Sequence, residues 1–260
     1  MKKYFMIGYG VVAYLAFFAA ILYMIGFLGG VLVPKGIDDG QPAPLAQAVA
    51  VNVLLILAFA VQHTIMARPA FKRWWTQYVP KPIERSTFVL VASAILLITF
   101  WQWRPISGVV WSVEGTAGRA VCYALFALGW ALVFYSSFLI NHFDLFGLRQ
   151  VFLHFKNESY KPVPMKVVSL YQLVRNPLML GFFIAVWATP VMTYGHLLFA
   201  ACMTAYIFIG IQFEERTLSR ELGAVYEAYR RRTPMLFPLP VGGLGDAAPD
   251  SNIGGASERE

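Results

Sequence analysis

Hydrophobic residues fall into six blocks with polar punctuation between them: 4–33, 45–67, 88–103, 117–140, 178–189 and 195–213. A helix of about 20 apolar residues crosses the roughly 30 Å hydrocarbon layer, so four blocks reach across comfortably. The blocks at 88–103 and 178–189 are short, and must recruit flanking residues or thin the bilayer. The last two form a hairpin, because Thr189-Pro190 and Thr193-Tyr194-Gly195 break the run between them. This pattern predicts an all-α, polytopic membrane protein with six transmembrane helices. Beyond the hairpin, Leu218, Leu222, Val225 and Tyr229 share one face of a helix expected from Glu214 to about Arg232. Such a helix can lie over the mouth of the bundle as part of a cap. Residues 1–240 read as a single domain, and 241–260, rich in Gly, Ala, Pro, Asp and Ser, as a flexible tail.

Charge orients the spans. The segment 68–85 carries Arg68, Lys72, Arg73, Lys81 and Arg85, and 141–175 carries Arg149, Lys156, Lys161, Lys166 and Arg175, whereas the alternate loops are poor in cations. The positive-inside bias places both basic loops and both termini in the cytoplasm, in the cytoplasmic membrane of a bacterium. That bias and anionic lipid account for the net charge of +7, so no nucleic-acid partner is expected. The first block starts like a signal peptide but runs too long, and reads as a retained anchor. Cys122 and Cys202 sit inside apolar blocks as small hydrophobes, and no histidine or cysteine spacing suggests a metal.

Candidate chemistry gathers at the cytoplasmic rim. Arg175-Asn176-Pro177 precedes the hairpin, and Glu214-Glu215 closes it, so the hairpin returns these charges to one face. Pro177 suits a first helical position, where free N–H groups favour an anion. Arg175 is equally readable as an interfacial anchor. Adjacent glutamates point about 100° apart on a helix, one toward the bundle and one toward water. His142, at the end of a span, is either a surface hydrogen-bonding group or a base. His63 reads as polar packing between helices, with substrate contact as the other option, and His154 and His196 as peripheral.

From Arg175 to Pro238 the chain resembles the isoprenylcysteine carboxyl methyltransferase superfamily, whose pattern is Arg-His-Pro-x-Tyr-x-Gly, a hairpin, Glu-Glu-x-x-Leu, then Gly, two tyrosines and a closing Pro. Arg175, Pro177, Gly181, Glu214, Glu215, Leu218, Gly223, Tyr226, Tyr229, Pro234 and Pro238 fall on it. Asn176 stands where the pattern has His, and Met179 where it has Tyr. This version is similar to the methanethiol S-methyltransferase branch. The resemblance implies S-adenosylmethionine under a cytoplasmic cap, with Arg175 and Asn176 near its amino-acid end and Glu214, Glu215, Tyr160 and Tyr229 completing the pocket. It implies methylation of a small volatile thiol, methanethiol to dimethyl sulfide, with no obligatory protein partner. A thiol must lose its proton to attack well, and His142 is the first candidate base, Tyr160 the second, as a relay. The alternatives are methylation of a prenylcysteine or lipid-borne acceptor, and a non-enzymatic assembly or transport role.

Overall fold

The computed structural model describes residues 1–41 and 43–239; the tail expected over 241–260 lies outside the described residues. Among the described residues, five helices are long and apolar enough to cross a membrane: α1 (Lys2–Gly29), α2 (Leu45–Met66), α4 (Lys81–Gln102), α5 (Thr116–Ile140) and α10 (Tyr194–Leu222). Short helices fill the connections: α3 (Pro69–Trp75), α6 (His142–Leu145), α7 (Leu148–Phe155), α8 (Leu170–Leu173), α9 (Pro177–Trp187) and α11 (Ala224–Arg232). Leu15, Leu22, Leu54, Leu57, Leu125 and Leu128 stay exposed on the long helices, as an integral membrane protein requires of its lipid-facing sides.

The all-α expectation needs one addition. Val109–Ser112 (β1) and Val191–Thr193 (β2) pair antiparallel, β-branched residues extending where the chain leaves the helices. This ribbon takes up the chain where the short helix α9 ends. The 11 residues of α9 measure about 17 Å, half the hydrocarbon thickness. Residues 188–190 then turn, the Thr189 amide donating to the Trp187 carbonyl at 3.0 Å, and Val191–Thr193 extends to meet β1 at the far end of the bundle, where the Tyr194 amide donates to the Gly108 carbonyl. The fourth helix also differs from the apolar block: it begins at Lys81, seven residues ahead of Phe88, because Pro82 at its first turn starts it inside the basic loop.

Packing sets where α9 sits. Helix α9 lies against α5 at Gly129 and Gly181, where a Cβ on Gly181 would meet the Gly129 carbonyl oxygen at 2.6 Å and one on Gly129 would meet the Ala185 amide at 2.7 Å. The motif glycine is therefore a helix-contact residue: only backbone fits between the two axes. Behind it, Phe27, Phe100, Trp103, Trp130, Phe199 and Met203 form the central core.

The continuous helix expected from Glu214 to Arg232 is interrupted. Helix α10 carries both glutamates to Leu222, and Gly223, at φ 55°, ends it before α11 begins. A positive φ is readily held only by glycine, so the turn is written into that residue. The break folds α11 back so that Ser219 donates to Glu227 Oε1 at 2.6 Å.

Candidate functional site

Two groups of polar residues occupy the end of the bundle opposite the ribbon, and they differ in how fully they are paired. The first is a staple. Arg175 donates from Nε to Glu215 Oε1 at 2.8 Å and from Nη2 to Glu215 Oε2 at 3.0 Å. Its Nη1 serves the carbonyls of Arg230 at 3.0 Å and Thr233 at 2.5 Å. The Arg175 and Asn176 amides donate to the carbonyls of Pro234 and Met235, so residues 234–235 run beside 175–176 like a strand edge. Asn176 Nδ2 adds a second bond to Met235, at 3.1 Å, and Tyr229 donates its hydroxyl to the Tyr171 carbonyl at 2.6 Å. The Arg175 and Glu215 side chains are only 8% and 6% exposed. A buried pair so bonded holds its shape, and four of the five Arg175 N–H donors are already committed to protein. Nearby, Tyr226 is sealed in the interior, and burial followed by the Glu215 charge pushes its hydroxyl up to about 12.

The second group is open. Glu214, one residue from the staple, is exposed and accepts no hydrogen bond from the described residues. Its carboxylate is in electrostatic reach of Arg85, Tyr171 and Tyr206. Arg85 spends one donor, Nε to the Leu145 carbonyl at 2.8 Å, and makes no ion pair among the described residues. The neighbouring Ser86 hydroxyl donates to the Gly147 carbonyl, so the start of α4 is pinned to the loop between α6 and α7 with the guanidinium fork left over. Phe88 connects this cation to His63: its ring lies 4.8 Å from the Arg85 guanidinium carbon and 4.7 Å from the His63 ring. His63 Nδ1 and Gln62 Oε1 are buried without a hydrogen-bond partner in the described structure. Arg68 covers the Phe213 ring at 4.2 Å, at the edge of the same cluster.

Tyr160 lies in electrostatic reach of Arg85. Its hydroxyl donates to Asp144 Oδ2 at 3.3 Å, and Asp144 also pairs with Arg149 at 2.8 Å. Burial, then the Asp144 carboxylate, push the Tyr160 hydroxyl above its ordinary 10, so it stays a neutral phenol at neutral pH. His142 is placed differently. It is 3% exposed, stacked on Phe138 at 4.3 Å and edged by Tyr14 and Phe146. Ser137 gives its own proton to the Phe134 carbonyl, so at 2.8 Å it accepts from His142 Nδ1–H, and Nε2 is left to accept from the Tyr14 hydroxyl at 2.9 Å. Nδ1 already carries its proton and Nε2 already accepts from Tyr14, so a thiol meets no free nitrogen, and burial lowers the imidazole below its ordinary value. The geometry thus separates the expected residues. Arg175, Asn176, Glu215 and Tyr229 join in the staple, Glu214 and Tyr160 face the open cluster, and His142 stands in its own aromatic box.

Arg85 is the residue that sequence reasoning passed over. In a basic loop it carried only an orientation signal; its one available mark was its place three residues ahead of an apolar block, deeper than a loop cation needs to be.

No protein-family model matches the chain, and no solved structure matches it. Among curated proteins, the methanethiol S-methyltransferase of Mycobacterium tuberculosis is 53% identical over 240 residues, 92% of this chain and 98% of its own. Methanethiol S-methyltransferase 2 of Bradyrhizobium diazoefficiens is 52% identical over 230 residues, 88% of each. Nurim of Mus musculus is 25% identical over 187 residues, 68% of this chain and 71% of its own.

Proposed function

The chain belongs to the methanethiol S-methyltransferase family, within the isoprenylcysteine methyltransferase-like superfamily, and from that membership we propose that it methylates methanethiol to dimethyl sulfide with S-adenosylmethionine as donor. The observation that carries this reading is near-full-length likeness to proteins of that name, meeting one unpaired polar cluster at one end of the bundle. The cluster suits such a donor: Arg85 and Glu214 offer opposite charges without an ion-pair partner among the described residues, the Phe88 ring packs on the Arg85 guanidinium, and Phe213, under Arg68, precedes Glu214.

When bound, the donor supplies an electrophilic methyl on a sulfonium; the thiol sulfur forms the new S–C bond as the sulfonium S–C bond breaks. The chain has two tasks in that displacement. It must hold the two sulfurs in line, which accounts for much of the acceleration in such a reaction. It must also remove the thiol proton, and the Tyr160 hydroxyl, donating to Asp144, offers a relay: Tyr160 accepts from the thiol as it gives its own proton to the carboxylate. The staple keeps the hairpin and the C-terminal segment in register beside this opening. Helices α6, α7 and α8 and residues 233–236 form the cap.

In the bilayer the chain makes six crossings, the fifth built from α9 and the segment that leads to β2, with the basic loops and both termini in the cytoplasm. Reporter fusions after Gln77 and Ser159 should read inside, and after Gln41 and Gly108 outside; a reversed signal at Gln77 or Ser159 overturns the orientation. The activity is tested by incubating purified, detergent-solubilised protein with S-adenosylmethionine and methanethiol and measuring headspace dimethyl sulfide. Turnover of a prenylcysteine, with none of methanethiol, refutes the acceptor.

A further inference from the structure

The charged end of the donor needs a cation for its carboxylate and an anion for its ammonium, and the motif arginine is poorly placed to serve. Arg175 has four donors committed, two to Glu215 and two to backbone carbonyls of the segment that it anchors. Redirecting it toward a ligand would strand a buried carboxylate. Arg85 has the opposite character. One donor, Nε, is held by the Leu145 carbonyl, which orients the guanidinium plane, and the terminal nitrogens have no partner among the described residues. Ser86, bonded to the Gly147 carbonyl, fixes the backbone next to it. The Phe88 ring packed against the guanidinium carbon at 4.8 Å limits its swing.

On α10, Glu215 turns inward to Arg175, and Glu214 turns about 100° away to the open side, where it meets no partner but lies in electrostatic reach of Arg85. Glu84 and Asp144 are also in electrostatic reach of Arg85, and none of the three carboxylates closes on it among the described residues, so an unpaired cation on α4 and an unpaired carboxylate on α10 match the two charges of a zwitterion. We propose that Arg85 and Glu214 clamp the amino-acid end of the methyl donor, Arg85 taking its α-carboxylate and Glu214 its α-ammonium. This assignment rests on S-adenosylmethionine being the donor. It moves donor recognition from Arg175 to a residue on α4, so that the donor ties α4 to α10 across the bundle. Planar, two-pronged recognition of a carboxylate is what a held guanidinium does well.

Calorimetric titration of the full-length protein in detergent tests the clamp without turnover, using three probes. S-adenosylhomocysteine carries both charges, its deaminated analogue keeps only the carboxylate, and 5′-methylthioadenosine has neither. Arg85→Gln should weaken S-adenosylhomocysteine about 30-fold or more, and leave 5′-methylthioadenosine within about 3-fold of wild type. Glu214→Gln should weaken S-adenosylhomocysteine similarly but not the deaminated analogue, which only Arg85→Gln should affect. Arg85→Lys keeps a point charge without the fork, so it should fall between, and it supplies the same comparison if Arg85→Gln does not fold. Equal losses for all three probes, or unchanged affinity for S-adenosylhomocysteine in Arg85→Gln, overturn the clamp while leaving the donor in place. Wild-type protein that binds none of the three overturns the donor itself, and the clamp with it.

Discussion

Glu214 and Glu215 are neighbours of the same chemistry, and replacing each in turn by glutamine should produce different failures. Glu215 accepts the two N–H···O bonds of a fork at 2.8 and 3.0 Å with both side chains nearly sealed from water. Glu215→Gln leaves the Arg175 charge buried without its counterion, a loss of about 3–5 kcal/mol. At about 1.4 kcal/mol per tenfold, local opening of the segment held by Arg175 should rise roughly 100-fold or more. That segment includes Arg230-Arg231-Arg232, which trypsin cleaves only when α11 unfolds from its seat. Under conditions where cleavage follows the opening equilibrium, the Glu215→Gln cleavage rate should rise by that factor. Glu214→Gln removes the same charge one residue away and should be cleaved at the wild-type rate, because Glu214 accepts no bond in the described structure. Wild-type cleavage of Glu215→Gln, or equal acceleration in both variants, refutes the division between staple and open cluster.

Gly181→Ala should lower thermal stability by about 1–3 kcal/mol, read by unfolding in detergent, because the added Cβ would meet the Gly129 carbonyl oxygen at 2.6 Å; a wild-type midpoint would show that α9 can shift freely from α5. Tyr160→Phe should cut turnover by on the order of 100-fold at neutral pH while sparing donor affinity, with partial recovery in alkaline solution as thiolate forms unaided; an unaffected rate removes Tyr160 from the relay. His142 should act through stability: with its folded pKa below the ordinary 6.5, the unfolded chain binds a proton that the folded chain refuses, so its contribution is complete above pH 6.5 and is lost as pH falls below it. Melting midpoints taken on either side of pH 6.5 should therefore fall less on acidification in His142→Gln than in wild type, and identical slopes would contradict the aromatic box.

The hydrophobic blocks located every long helix, because lipid exposure forces apolar side chains onto outward faces as well as inward ones, and the periodicity then needs no partner to be read. The ribbon was invisible to that logic: Val109-Val110-Trp111 and Val191-Met192-Thr193 are too short to signal strands, and their pairing joins residues about eighty positions apart. The motif was legible as a set of residues that meet, but not as a pattern of who bonds to whom. A motif identifies which residues travel together, and Arg175, Asn176, Glu215 and Tyr229 do meet, yet they meet one another and the carbonyls of 230–235. What distinguishes a binding group from a structural one is the hydrogen-bond capacity it has left, and that remainder depends on partners distant in sequence. Arg85 keeps its fork because Leu145 and Gly147, some sixty residues on, hold the backbone and Nε around it but reach no further. Arg175 loses its fork to a segment some sixty residues on in the same way. The capacity left on each arginine is thus set by the same kind of long-range contact with opposite remainders, and no local pattern around either residue carries that difference.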